Sequence, residues 1–310
     1  MDIDVFEPRE VAELIMTYYS GGYPNELQVS GLEMALRRLH DEGFSLSSLF
    51  IDTRHFEHTL IRELERLRSE KLIHDQTLNA IKRALFKFRA DTIESYELID
   101  YSRGSTFNTS FIDHVTSNPS LVIVDFSADG APGVSLQLKQ LVVSYITKLL
   151  FNKFTEYKVS GVDKVLLLII EESQNYCPNL STYPVGHSLA RDNLARIATQ
   201  GRKFGLCLCL VSQRPSFVDP VVLSMINTFI IHRISADDIA FIKKVAGSLP
   251  KVIESKLVNL KTGRAIVTGQ MNKLGFPVVI DIPERKIKPR IGKIDVSQII
   301  AKSGQNSYIL

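Results

Sequence analysis

The sequence predicts an α/β protein, a mostly parallel sheet flanked by helices, joined to an α-helical block. Three observations predict it. From about Leu121 onward, short apolar runs alternate with stretches of helical spacing, the pattern of parallel strands joined by crossover helices. Before that point the apolar residues recur only at three- and four-residue intervals, which is the helical period. The residues at the ends of the expected strands, Asp125, Glu171, Glu172, Ser212 and Gln213, are polar although core strands flank them. In sheets of this kind ligands bind at the carboxyl ends of the strands.

Each element follows from local pattern. Amphipathic helices are expected over Val11–Tyr19, Ser30–Asp41, Thr59–Glu70 and Asp75–Phe88, with Leu60, Leu64 and Leu67 on one face of the third. Gly21, Gly22, Tyr23 and Pro24 make a turn between the first two. A β-branched strand is expected over Leu121–Phe126, a loop over 127–133 and a long helix over Ser135–Phe154. Strand Val165–Ile170, helix Leu189–Lys203 and strand Leu206–Ser212 come next. A short helix starting at Pro220, strand Thr228–Ile234 and helices Ala236–Ala246 and Pro250–Leu257 follow. Strands Arg264–Thr268 and Pro277–Asp281 are expected as a hairpin centred on Met271, Asn272 and Lys273. The expected division is a helical subdomain or insertion over 1–118, the α/β core over 119–285 and a basic tail over 286–310.

Composition narrows the class. The 310 residues are 45% hydrophobic and 23% charged, ordinary values for a globular protein with a sizeable core. A formal charge of +3 does not by itself argue for nucleic acid, so any basic groove has to come from local arrangement. The longest apolar run, Val165–Ile170, is far short of the ~20 residues that span a bilayer. Cys177, Cys207 and Cys209 form no CxxC pair, and the alternation of Cys207 and Cys209 in an apolar run favours buried free thiols over a redox pair. With an acidic start, Met1, Asp2, Ile3 and Asp4, and no leader pattern, the expectation is a cytoplasmic protein.

The chemistry concentrates at two strand ends. A buried apolar strand delivering Glu171 and Glu172 costs desolvation unless a cation or donors receive the carboxylates. A magnesium ion answers that need, one carboxylate holding it through its water shell and the other orienting the water that attacks a γ-phosphate. The same residues also suit a strand that simply runs into a solvated acidic loop. Gln213, at the tip of the neighbouring strand, is placed to sense a γ-phosphate or the attacking water, or to make the turn before Pro215. Arg202, just before that strand, suits an arginine finger reaching across a subunit boundary, or a cation complementing a helix C-terminus.

These residues stand in a familiar order. The stretches LLLIIEESQNYCP, IATQGRKFGLCLCLVSQRPSFVDPVVLSMINTFIIHRI and, more loosely, GRAIVTGQMNKLGFPVVIDIPER resemble the HerA branch of the HerA/FtsK superfamily of hexameric DNA-pumping ATPases. The resemblance covers about residues 120–285, and the helical block fits the family's helical insertion in outline. It implies a RecA-like P-loop ATPase core, a homo-hexameric ring, ATP and Mg2+. It implies that Glu171 is the Walker B acid, Glu172 the catalytic glutamate, Gln213 the sensor and Arg202 the trans-acting arginine, with Arg233 also near the nucleotide. It further implies double-stranded DNA as the substrate, and a NurA-type nuclease or another effector as partner, in DNA repair or antiviral defence.

A phosphate loop of the form GxxxxGK[ST] is not found in these residues; Gly104, Ser105 and Thr106, and Gly161 through Lys164, lack its spacing. The family's phosphate loop and N-terminal barrel would lie upstream of Met1. Either this chain is the remainder of a longer protein, the favoured reading, or the missing strand comes from another chain, or the subunit is degenerate. This stretch is expected to supply half of an ATP site and to be inactive alone. Candidate DNA contacts are Lys82, Arg83, Lys87 and Arg89, then Lys148, Lys153 and Lys158, although solvated helix faces are the favoured reading of both groups. The tail Arg285 to Arg290 suits DNA or the bracing of a neighbouring subunit. The alternative readings are a ring scaffold that hydrolyses nothing and a conjugative coupling ATPase of the same superfamily.

Overall fold

The computed structural model describes residues 1–95, 98–99, 107–126, 133–183, 188, 190–247 and 249–284. The tail from Arg285 onward, most of the 127–133 loop and the Gly104–Thr106 stretch lie outside the described residues.

The helical block forms as its spacing predicts, with longer helices. Helix α1 (Pro8–Ser20) starts on a capping box between Glu7 and Glu10 with proline at its first position, and stops at Gly21, whose φ of +65° continues no right-handed helix. Helix α2 (Glu26–Asp41) is capped by the Asn25 side chain and buries Leu32, Leu36 and Leu39. A short helix the periodicity did not reveal, α3 (Leu46–Ile51), is capped by Ser45. A π-helical turn over His55–Leu60 runs directly into α4 (Ile61–Ser69), and α5 (Asp75–Arg89) closes the block. A second unanticipated helix, α6 (Thr109–Val115), is capped by Asn108.

Helix α7 (Leu136–Val159), five residues longer than expected at its C-terminus, is the spine of the molecule. One side of it packs Leu141, Tyr145, Leu149 and Phe154 into the core of the helical block, and Val143 faces a second core beneath the strand ends. Because both sides are covered, its apolar residues do not form a single stripe.

Strand β1 (Leu166–Ile170) pairs in parallel with β2 (Leu206–Leu210), Leu166 opposite Leu206 and Ile170 opposite Leu210. Between them run α8 (Ala190–Arg196), a π-helical turn Ile197–Gly201 and α9 (Arg202–Phe204), one continuous helical path that covers one sheet face. On the other face Leu167 and Ile169 are 57% and 52% exposed, so among the described residues the expected double covering is met on one face only. Cys177 is buried, whereas Cys207 and Cys209, expected to be buried, are partly exposed because they share that open face.

The strand expected over Leu121–Phe126 does not form. No strand lies beside it among the described residues, and Leu121 and Ile123 are 82% and 76% exposed; without a ladder partner, β-propensity alone makes no strand.

After the short helix α10 (Pro220–Ser224), β3 (Thr228–Ile231) pairs antiparallel with β4 (Arg264–Gly269), and β4 with β5 (Val278–Asp281). Among the described residues the parallel pairing is thus confined to β1 and β2, and β3 belongs to a separate three-stranded sheet. Its reason is a core of its own: Ile231 and Ile266 pack with Ile242 of α11 (Ala236–Ala246) and Leu257 of α12 (Lys251–Val258). The β4–β5 hairpin forms as expected, with the Asn272 amide donating to the Phe276 carbonyl at 2.6 Å across its turn.

Candidate active site

The ladder between β1 and β2 sets the site. The Val211 amide donates to the Ile170 carbonyl and the Ser173 amide returns to the Val211 carbonyl, each at 2.9 Å, so Glu171 and Glu172 bulge out between two fixed points. Glu172 takes φ +49° and ψ +46°, the left-handed region that costs an L-residue roughly 1–2 kcal/mol. Glu171 is exposed; Glu172 is half-buried.

The Glu172 carboxylate is held at both oxygens. Gln213 donates from Nε2 to Oε1 at 2.9 Å, and Gln174 donates from Nε2 to Oε2. Gln174 accepts in turn from the Ser212 hydroxyl at 2.7 Å, and the Arg214 amide donates to that hydroxyl oxygen at 3.2 Å. Glu172 and Gln174 after β1 therefore interlock with Ser212 and Gln213 after β2.

The surrounding loops are braced from three sides. Gln140 of α7 donates to the Asn175 carbonyl at 2.7 Å. Asn179 and Cys177 zip the first loop to the second through Phe217, Ser216 and Asp219. Arg214 Nε lies 3.1 Å from Oδ2 of Asp238 in α11, and its guanidinium stacks over Phe217, which stacks on Tyr183 at 4.8 Å. Asp238 is 1% exposed. Burial pushes its pKa up, but hydrogen bonds from Ser216 and Ser235 and the charge of Arg214 outweigh that and hold it below the usual carboxylate range.

Of the residues singled out from sequence, the fold brings together Glu171, Glu172 and Gln213. Arg202 lies elsewhere. It sits exposed on the last helical turn before Gly205, whose carbonyl accepts from the Leu166 amide, and so at the opposite end of the same two strands. Five strand residues separate those ends, about 16 Å at ~3.3 Å per residue. Arg233, expected on a strand, is exposed in the loop after β3, because β3 ends at Ile231. Neither arginine bonds to the acids or to Gln213.

Gln174, Arg214 and Asp238 were missed. Gln174 stands two residues after Glu172, a spacing that a one-turn loop brings into reach; nothing in the sequence links Asp238 to the site.

The donor set suits magnesium. No cluster of three or more His, Cys, Asp or Glu occurs among the described residues, so none there forms a protein-made cage. An exposed Glu171 beside a held Glu172 matches an ion that keeps several waters and takes one or two carboxylates besides phosphates.

The cations considered for DNA are mostly engaged. Lys82, Lys87, Arg89, Lys148, Lys153 and Lys158 pair with Glu65, Asp91, Glu94, Glu10, Asp113 and Asp163. Arg83 is exposed beside Tyr19 and Phe86 in a surface groove. No helix of the described residues is long and apolar enough to cross a membrane.

Strand ends bearing acids and an amide on this fold define the class: the chain has the fold of the P-loop ATPases. It is similar to VirB4 of Thermoanaerobacter pseudethanolicus over 90% of this chain and 69% of that one, with a TM-score of 0.51 and 13% identity. It is similar too to the plasmid coupling protein TrwB, solved with the non-hydrolysable GTP analogue GDPNP, over 93% and 71%, with a TM-score of 0.52 and 12% identity.

Sequence narrows the class to a type. The chain is 32% identical over 172 residues to the DNA double-strand break repair helicase HerA of Saccharolobus solfataricus, covering 52% of this chain and 33% of that protein. It is 26% identical over 263 residues to HerA of Sulfurisphaera tokodaii, covering 83% and 48%. Over these stretches the chain is similar in sequence to HerA-type helicases. It spans between about a third and a half of the length of these curated relatives. No family model matches it.

Proposed function

We propose that this chain carries the acid-and-sensor half of the ATP site of a double-stranded DNA translocase or helicase, working as one subunit of a hexameric ring. The observation that carries the reading is the contact of Gln213 with Glu172, which makes one unit of two strand ends. In this reading Glu172 orients the attacking water, Gln213 reports the γ-phosphate to it, and Glu171 holds Mg2+ through water. Bound magnesium supplies charge neutralisation at the phosphates. In this reading the site requires a phosphate loop, whose GxxxxGK[ST] form is not found in these residues.

Arg202 completes the site from a neighbouring subunit, and Arg233 also approaches the nucleotide. Support for that assignment is the position of Arg202 at the far end of its own strands, out of reach of its own Glu172. Its exposure leaves it free to enter another subunit's site. The ring then serves a NurA-type nuclease or another effector, in DNA end processing or antiphage defence.

The test is ATP turnover by the full-length protein with Mg2+ and double-stranded DNA, comparing wild type with Glu172→Gln. Loss of a general base predicts a fall of about 10²- to 10⁴-fold. Undiminished DNA-stimulated turnover in the variant sinks the assignment of Glu172.

A further inference from the structure

We infer that Gln174, oriented by Ser212, is a positioning residue for Glu172. The inference deepens the hydrolytic reading above and rests on it, since it matters to turnover only where Glu172 aligns a water.

The two ends of a glutamine amide are chemically different, and here each has one acceptable partner. Gln174 is 8% exposed, so water does not substitute freely for either. Its Nε2 donates to Glu172 Oε2, and its Oε1 accepts from the Ser212 hydroxyl at 2.7 Å. Turned by half a rotation, the amide would set its oxygen against the carboxylate, two acceptors facing each other with no proton between them. The direction of the Ser212 hydroxyl is fixed as well. The Arg214 amide donates to its oxygen at 3.2 Å, which leaves the hydroxyl proton for Gln174.

The arrangement extends back into α11. Arg214 is tied through Nε to Asp238, and Asp238 also accepts from the Ser216 amide at 3.3 Å and the Ser235 hydroxyl at 2.6 Å. The loop bearing Ser212 and Gln213 is thus pinned to a helix that packs on the antiparallel sheet. At the other end Glu172 occupies a left-handed backbone conformation, which persists only where surrounding contacts over-determine it. The amides of Gln174 and Gln213, arriving from different strand ends on different carboxylate oxygens, supply that constraint. With only Gln213 left, the carboxylate keeps one anchor and can swing about it.

The side-chain hydrogen bonds of Gln174 go to Glu172 and Ser212, so its loss should misalign a catalytic group and leave nucleotide affinity alone. In ATPase assays of the full-length protein, Gln174→Leu and Ser212→Ala are expected to lower kcat about 10- to 100-fold, the cost of a small misplacement, with KM within about twofold. Ser212→Thr keeps the hydroxyl and should restore turnover to within about threefold of wild type. A second readout is independent of turnover. With glutamine-selective 15N labelling, the Gln174 side-chain resonances, assigned by their loss in Gln174→Leu, should shift in Glu172→Ala and broaden in Ser212→Ala. Full kcat in Gln174→Leu overturns the inference, and so do Gln174 resonances that ignore Glu172→Ala. If instead wild type shows no turnover while those resonances respond as expected, the hydrolytic reading fails and the geometric constraint on Glu172 is supported.

Discussion

Gln213 and Glu172 meet across the ends of two parallel strands, the amide nitrogen 2.9 Å from the carboxylate oxygen. Neither residue has a local reason to be there. Forty-one positions apart in sequence, they are joined because Ile170 pairs opposite Leu210 and both strands then turn toward the same side.

That contact sets the first prediction. On the proposed hydrolytic reading the Gln213 amide aligns the Glu172 carboxylate, so Gln213→Ala should lower turnover about 10- to 100-fold, the cost of misplacing a catalytic group. Gln213 is exposed, so the urea midpoint should barely move. Steady-state kinetics beside denaturation curves check both halves.

Arg202 and Glu172 lie at opposite ends of β1 and β2, so the proposed action of Arg202 in trans predicts complementation. Arg202→Ala and Glu172→Gln proteins should each be nearly inactive alone. Mixed in equal amounts, they should recover a measurable fraction of wild-type turnover, because some interfaces then carry an intact arginine facing an intact glutamate. Activity no higher than the sum of the two separate preparations would show that Arg202 does not act in trans.

Gly205 carries the tightest backbone approach at the other end of the sheet. Its φ is +84°, and a Cβ there would stand 1.9 Å from the Lys164 carbonyl oxygen. Gly205→Ala must push β1 and β2 apart where they begin, and should cost more than ~2 kcal/mol. Gly161, with φ +71° and open space around it, isolates the dihedral cost alone, and Gly161→Ala should cost only about 1 kcal/mol. Chemical denaturation of the two variants separates the effects.

The Asp238 clamp gives stability a pH dependence of known sign. Burial opposes ionisation, but Ser216, Ser235 and Arg214 together hold the folded-state pKa below the ordinary value. The unfolded chain therefore binds the proton more readily, and the contribution is fully present above an unfolded carboxyl pKa of about 3.9. It disappears as the pH falls through the lower folded value. Asp238→Asn should be less stable than wild type at neutral pH, and the gap should narrow as the pH falls below about 4. Thermal melts across that range provide the measurement.

The thiols should differ in reactivity. Burial, reinforced by the nearby Asp219 charge, pushes the Cys177 thiol up to about 12, and the side chain is fully enclosed. At pH 8 an alkylating reagent should modify Cys207 and Cys209, on the open sheet face, well before Cys177. Peptide mass mapping over a time course, with an unfolded control, gives the order.

Much of the fold was legible in local pattern. Helix α11 begins and ends where its spacing and the preceding Ser235 place it, and the β4–β5 hairpin closes around Asn272 as its turn residues indicate. Helices α3 and α6 escaped because six or seven residues are too few for a period to show, although Ser45 and Asn108 cap them. The run Leu121–Phe126 has the composition of a strand and no ladder partner among the described residues, so its composition went unexpressed.

The sequence alone determined which residue types stand at the strand ends and the helical periods that cover them, because these depend on a few neighbouring positions. The tertiary structure decided the rest. It set Glu172 in a left-handed turn, brought Gln174, Ser212 and Gln213 onto one carboxylate, tied Asp238 to Arg214 and sent Arg202 to the far end of the sheet. Those outcomes follow from strand register and loop bracing, which are properties of distant segments packed together and have no period along the chain.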